Sequence, residues 1–509
     1  MNLKEAISDI YDNVVDDDNL RLLYKSNQEI HMAVKTAHGL SDRHTVNDIV
    51  LQGDTFGSLL ASVPVDKIGQ DCMKAGLFYK YKNILPVGFL GLVDDIVGIT
   101  EAGFKASQLN SVINVRTAEK TLQFGPPKCQ YMTVGKNTET VIQNKLQVDY
   151  WLTEHEENKL TGEDDLIESF GGKIDIKQTE EYTYLGFVIS CKGDNMANIR
   201  VIKNKSLGVI RKILNKLNSM SLNQYYFECA LILMNVMLRG TILYAADMYY
   251  SLKENELRQI QRIEEGYIRK ILKTTKGCPI TSLYLHFGQT PARFEIMKMR
   301  LLYLKYILEQ PEESSLNKVF KLQLEHPTPG DWASTCLKDL QFINVKLTLD
   351  EIRTIPKQEY TRILKQRISE VALSYLLEKQ GSKGSEIKHE FLEMADYLLP
   401  FNNHITIEEK REMFEVKNRM TKIPYNFSSD SDKKCKCGKR EDMLHIYECE
   451  LYNQKEKPTI PFEKIYNGNL NEQITVYKKF KQNMIKREED EATSDPCDQL
   501  DPLYIFSKG

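Results

Sequence analysis

Apolar and polar positions follow two different periods along the chain, and the change falls near residue 195. Before it, short β-rich runs (VGFLGLV, IVGIT, QYMTVG, LQVDYWLT, YTYLGFVIS) alternate with turn residues, as strands in a small sheet do. Segments of helical period lie between them, at residues 19–35 and 107–121. That mixture predicts an α+β region built on an antiparallel sheet. After residue 195, apolar residues recur at three- and four-residue spacing over 200–217, 223–246, 254–272 and 293–308. Each such stretch predicts a helix with one buried stripe. Gly277-Cys278-Pro279 stops one of these helices. Breaks at Pro311, 327–330 and Pro400 divide a more polar helical stretch. Residues 428–434 read as a polar linker, and the charged run 486–499 as a frayed end.

Composition narrows the class. The chain has 509 residues, is 41% apolar and 27% charged, so it can build several packed cores. Its 68 basic and 71 acidic side chains leave a net charge of −3, so any cationic surface for nucleic acid has to be local. No charged and apolar leader follows Met1, and the most apolar helical stretch is broken by Asn235, Arg239 and Gly240. Both features argue against secretion and against a membrane span. Ten cysteines in so long a chain, three of them clustered, do not look like a secreted disulfide scaffold. The expectation is a soluble intracellular protein of the cytoplasm or nucleus, with no membrane partner.

The sharpest local feature is Gly91-Leu92-Val93-Asp94-Asp95-Ile96-Val97-Gly98. Two apolar strands meeting at adjacent acids predict a β-hairpin with the carboxylates at its tip. Strands of this kind are expected to be buried, and lone carboxylates beside a core are unfavourable; a divalent cation removes that penalty. Two-metal phosphoryl-transfer sites use several converging carboxylates to hold ions roughly 3.5–4 Å apart. The competing reading of the same residues is an ordinary polar turn. Asp16-Asp17-Asp18 and Asp164-Asp165 lack apolar flanks and read as solvated loops.

Three further segments change the weighting. Leu51-Gln52-Gly53-Asp54 leads into a helix upstream, while Phe124-Gly125-Pro126-Pro127-Lys128 and Tyr182-Thr183-Tyr184-Leu185-Gly186 follow downstream. In this order and spacing the four segments resemble the core of reverse transcriptases. Gln52 and Gly53 are similar to the loop that lies against template and incoming nucleotide. Asp94 and Asp95 are similar to the paired-aspartate metal box, with Leu92 where an aromatic is commoner. Lys128 is similar to the lysine that protonates the leaving pyrophosphate, and Tyr184-Leu185-Gly186 to the primer grip. The resemblance implies a partial polymerase palm, Mg2+ or Mn2+ on Asp94 and Asp95, a dNTP substrate, and an RNA template with a DNA primer. Thr55 and Gly57-Ser58 depart from the family pattern. The family also places a first metal-binding aspartate in a strand upstream of the Gln-Gly loop. Here residues 2–7 already read as the helix after that strand, and Asp9 and Asp12 lie inside its helical pattern. The expectation is therefore a C-terminal portion that begins after the first catalytic carboxylate. Such a portion would be weak or inactive by itself, its upstream polymerase or endonuclease part being absent from this chain.

Beyond the palm, Arg200, Lys203, Lys205, Arg211, Lys212 and Lys216 fall in one stretch without an acid. An amphipathic helix there can pack on one face and meet phosphates with the other, as a thumb helix would. Residues 241–244, 261–271 and 283–293 resemble the helical extension of non-LTR (LINE-type) retrotransposon polymerases. Tyr244 and Tyr249 read as packing residues. Cys435-x-Cys437-x7-His445-x3-Cys449 supplies four ligands of the type and number a structural Zn2+ uses. The last two lie four apart, as on one face of a helical turn. This stretch resembles the CCHC knuckle that follows such polymerases, with Lys433, Lys434, Lys436, Lys439 and Arg440 offered to nucleic acid.

The expected order is a partial fingers/palm region at 1–195, a helical thumb and connection at 196–310 and a helical extension at 311–427. A small zinc-knuckle module at 428–455 and a tail at 456–509 complete it. The rival to the polymerase fragment is a non-enzymatic nucleic-acid-binding protein that uses the basic helix and the knuckle.

Overall fold

The computed structural model describes residues 25, 29–33, 35–36, 39–47, 57–92, 95–101, 103–119, 122, 124–135, 146–157, 164–220, 225–274, 278–381, 405–418, 434–453 and 458–492. The chain is mixed α+β and divides into two compact units, 1–198 with 310–328 and 199–309 with 329–509.

The first unit holds the strands. They form seven two-stranded pieces among the described residues, where the sequence pattern predicts one sheet. β1 (Glu29–Met32) pairs with β4 (His44–Asn47), β2 (Lys35–Thr36) with β3 (Gly39–Leu40), and β5 (Tyr79–Tyr81) with β6 (Leu85–Val87). β7 (Phe89–Leu92) pairs with β8 (Asp95–Gly98), β10 (Gln147–Glu157) with β11 (Asp164–Asp175), and β13 (Glu181–Tyr184) with β14 (Phe187–Ser190). All six are antiparallel; β9 (Gln130–Tyr131) and β12 (Lys177–Gln178) run parallel. The helical reading of 19–35 gives way at β1, where Ile30 faces Val46 and His31 faces Thr45. A β-branched partner strand outweighs a weak helical period there. Asp164 and Asp165 are likewise the first residues of β11 and not a loop.

Helix α1 (Gly57–Lys74) and helix α2 (Phe104–Glu119) pack together and support the β7–β8 hairpin. Gly69 on α1 lies under the Phe89 ring, and an added Cβ would come within 2.6 Å of it. Gly91 similarly meets Val65, so small residues set how closely α1 and β7 approach. The core beneath is Ile68, Cys72, Leu77, Phe78 and Leu109. The outer face of the hairpin is open: Leu90 and Leu92 are exposed, where apolar strands were expected to be buried. Alternation along β7 puts Phe89 and Gly91 against α1 and leaves Leu90 and Leu92 on the opposite face.

Helix α3 (Met196–Ser219) leads into the second unit. Of its apolar positions Ile202, Ile210, Ile213 and Leu217 are buried and Leu214 is half-buried, while Leu207, read from the period as part of the same face, is exposed. The next helical stretch is broken into α4 (Tyr226–Leu233), a π-turn (Met234–Leu238) and α5 (Arg239–Ile242). Then come α6 (Glu254–Leu272), α7 (Ile280–Phe287), α8 (Ala292–Glu309), α9 (Ser315–Glu325, in the first unit), α10 (Trp332–Phe342), α11 (Leu349–Thr354) and α12 (Lys357–Gly381). α8 is the hub, packing on α6, α10, α11 and α12. Buried Glu264 of α6 accepts from Arg239 Nε (2.9 Å), Tyr284 Oη (3.0 Å) and the Ala292 amide (2.9 Å), so one carboxylate joins α5, α6, α7 and α8. Tyr249 is fully buried as expected, while Tyr244 is half exposed.

The unit ends in a group of helices around a separate core. α13 (Ile407–Lys417), α14 (Met443–Glu448), α15 (Lys464–Asn467) and α16 (Leu470–Ala492) bury Met413, Ile446, Tyr447, Phe462, Ile465, Val476, Tyr477 and Phe480. Residues 486–492 therefore continue a helix, where the charge run reads as a frayed end. Among the described residues no helix is long and apolar enough to cross a membrane.

Candidate carboxylate hairpin and metal centre

Leu92 of β7 pairs with Asp95 of β8. Asp95 is the first residue of β8 and is exposed. Gln52, Gly53, Val93 and Asp94 lie outside the described residues, as do Asp9, Asp12 and Lys433. The structure brings the hairpin toward the primer-grip-like segment. Burial raises the phenols of Tyr182 and Tyr184 above their ordinary range, and the Asp95 carboxylate raises both further. The Cys129 thiol adds to the effect on Tyr182. Asp95 is thus an electrostatic neighbour of Tyr182 and Tyr184, and Cys129 of Tyr182. Tyr182 and Cys129 were not singled out from sequence; the alternation of β13, which puts Tyr182 and Tyr184 on one side, is the signal that could have found Tyr182.

Lys128 ends a short 3-10 turn (Pro126–Lys128) and is exposed, its amide donating to the Gly125 carbonyl at 2.9 Å. Leu185 and Gly186 form the two-residue turn between β13 and β14, both with positive φ (48° and 80°). Gly186 adopts this freely, whereas a left-handed leucine is strained. Lys203, Lys205, Arg211, Lys212 and Lys216 are all exposed on α3, and so is Arg200 at its start. Among the described residues no third metal-ligating side chain gathers around Asp95. The described residues alone therefore do not assemble the carboxylate cage that Mg2+ chemistry requires.

The second centre is complete. Cys435, Cys437, His445 and Cys449 place their ligand atoms within 4.8 Å of one another. The Cys-x-Cys turn is closed by the Cys435 amide on the Lys439 carbonyl (2.9 Å) and the Gly438 amide on the Cys435 carbonyl (2.7 Å). Gly438 takes φ 85°, a conformation that suits glycine. Asp442 caps α14 by accepting from the His445 amide at 2.7 Å, which fixes the imidazole-bearing turn. Cys449 lies just past the helix in extended backbone, not on the helical face its spacing predicts. The Cys435 and Cys449 sulfurs are 3.8 Å apart, the edge of a tetrahedron with metal–sulfur bonds of about 2.3 Å. Cys437 Sγ and His445 Nε2 are 3.3 Å apart. The donor set and its size suit a metal such as zinc.

Burial raises the Cys449 thiol to about 11. Against burial, the Lys439 amide and the Cys435 and Cys449 thiols hold the Cys437 thiol below its ordinary range. Cys437 faces solvent while Cys435 and Cys449 are buried. Cys72 and Cys278 are raised to about 11 by burial as well, but among the described residues neither belongs to a ligand group, and they have the character of inert core thiols. Tyr452, three residues past the last ligand, brings its hydroxyl to 3.4 Å from Cys435 Sγ; sequence reasoning passed over it. No protein-family model and no curated protein matches this chain.

Proposed function

We propose that residues 1–198 are a portion of a reverse-transcriptase-type palm, that α3 meets the nucleic-acid backbone, and that the Cys/His set binds Zn2+ as a structural ion. In this reading the chain handles an RNA template, a DNA primer and a dNTP as part of a non-LTR-type polymerase. The observation that supports it is that the charge of Asp95 reaches Tyr182 and Tyr184. Two segments about ninety residues apart, each chosen for its likeness to a polymerase motif, are electrostatic neighbours in the fold. Asp95 supplies a carboxylate where metal-bound phosphate would sit, Lys128 is the candidate proton donor to pyrophosphate, and the turn at Leu185 and Gly186 supports the primer end. Nucleotidyl transfer needs carboxylates beyond Asp95.

RNA-templated primer extension tests the reading, using the chain alone and a version fused to an upstream segment that supplies a further metal-binding carboxylate. The expected result is extension by the fused version that Asp95→Asn abolishes. Lack of template–primer binding, or extension indifferent to Asp95→Asn, would overturn the reading.

A second reading is favoured because, among the described residues, Asp95 belongs to no group of three or more metal-ligating side chains. In it the chain is a non-enzymatic nucleic-acid-binding protein. It binds through the exposed cations of α3 and through the basic residues around the zinc loop. Reversing charge at Arg211 and Lys212 then weakens duplex binding, and the slope of log K against log salt falls by roughly 2. Binding without extension in every version selects this reading; unchanged binding in the double variant removes α3 from both.

A further inference from the structure

The apolar stripe of α16 changes chemistry halfway along. Val476 and Phe480 enter the core, and the same stripe continues with Asn483 and Arg487, also buried. These positions are spaced four, three and four residues apart, one face of a helix, and Lys486 lies beside them. Each polar group meets a segment that carries a metal ligand. Arg487 forks onto Glu441, its Nε to Oε1 at 2.6 Å and its second amino group to Oε2 at 3.3 Å. Glu441 lies between Cys437 and His445. Asn483 Nδ2 donates to the carbonyls of Ile446 (2.9 Å) and Tyr447 (3.0 Å), on the turn that runs into Cys449. Lys486 Nζ donates to the Tyr452 carbonyl at 2.7 Å, and the Tyr452 hydroxyl sits on Cys435 Sγ.

We infer that α16 is the outer shell of the metal centre, so that metal binding and docking of α16 are one coupled equilibrium. The inference rests on the metal reading above and adds to it the residues that aim the ligands. Tyr452 is a positioning residue whose hydroxyl donates to the Cys435 thiolate once metal is bound. Glu441 and Arg487 form a buried pair that fixes the spacing between the Cys-x-Cys turn and α14. Coupling is reciprocal: whatever α16 adds to metal affinity, the metal adds to the docking of α16.

The test uses the full chain. Zinc affinity is measured by competition with a chromophoric chelator for the parent, Tyr452→Phe, Arg487→Met and, as an exposed control on the same helix, Gln482→Ala. Hydrogen exchange across Leu470–Ala492 is followed with and without zinc. Outer-shell changes of this kind weaken metal binding by about ten- to a hundred-fold. That loss is expected in Tyr452→Phe and Arg487→Met and absent in Gln482→Ala, with exchange of α16 speeding up when zinc is removed. Tyr452→Phe keeps the ring and the core, so the result stands even where Arg487→Met fails to fold. Tight zinc binding that neither variant alters, with α16 exchange indifferent to zinc, would overturn the inference and leave the metal reading intact. Failure of the parent chain to bind zinc at all would overturn both.

Discussion

Asp95 sits exposed at the start of β8, opposite an exposed Leu92, on a hairpin supported by α1 and α2. Cys435 and Cys449 are buried, 3.8 Å apart, on a turn and a helix end held by hydrogen bonds from several directions. The first region displays one acid and needs other groups to complete its chemistry; the second brings a full donor set together by itself. Ligands drawn from fifteen consecutive residues require little loop closure, so local sequence supplies the whole donor set. A polymerase site collects carboxylates from distant strands and depends on how a whole sheet is built.

The largest expected effect separates the two regions by fold. Cys449→Ser, or zinc removal by a chelator, removes a ligand set whose metal contributes on the order of 10 kcal/mol in small zinc domains. Hydrogen exchange is expected to collapse over α13–α16 and to stay unchanged over α1, α2 and the β7–β8 hairpin. Equal loosening of both regions would show that the contrast is wrong.

Next comes a buried cation. Lys417 on α13 donates to Gln473 Oε1 at 2.8 Å, and burial pushes its ammonium down to about 8. The unfolded chain keeps the proton up to the ordinary lysine range near 10.5. Between those values the unfolded state binds more protons, so stability rises with pH. Relative to Lys417→Met, the parent should gain about 3 kcal/mol as pH goes from 8 to 10.5, read by denaturant titration of the zinc-loaded chain. A flat difference would mean that water reaches the ammonium.

Two turns allow a closer comparison. Gly438 and Leu185 both have positive φ, but only the first is a glycine. Gly438→Ala should destabilise the metal turn by about 1–2 kcal/mol and Leu185→Gly should stabilise its hairpin by up to about 1 kcal/mol. Thermal unfolding of the two variants in opposite directions is the expected outcome. A leucine kept in a left-handed turn is the kind of strain that persists at functional sites, so loss of template–primer binding in Leu185→Gly would sharpen the functional reading of that hairpin.

Legibility followed the same divide. The Cys-x-Cys turn, His445 and the stripes of α3, α6 and α8 were readable because spacing along a few turns decides them. The helix misread at 29–32 depended on a partner strand at 44–47, which no local period reports. Arg487 looked like part of a solvated charge run because Glu441, its partner, is 46 residues away in sequence. The neighbourhood of Asp95 and Tyr182 was not legible, because nothing in the period of either segment points to the other.

The smallest expected effect isolates chemistry from folding. Asp95 is exposed and outside the core of its unit, so Asp95→Asn should shift stability by no more than about 0.5 kcal/mol. Its charge nevertheless reaches Tyr182 and Tyr184, whose phenols are raised first by burial and then by this carboxylate. Removing a nearby negative charge makes each phenolate easier to form, so both should titrate lower in Asp95→Asn, though still above the ordinary tyrosine range because burial remains. A phenol raised in the folded state holds its proton more tightly there than in the unfolded chain. The stability it contributes is present below pH 10 and lost as pH rises through the folded value. Phenolate absorbance titrated in parent and variant measures this directly. A downward shift without loss of fold places the carboxylate beside the two rings and leaves the hairpin free to serve chemistry, whereas unchanged titration would separate the two segments and remove the observation on which the polymerase reading stands.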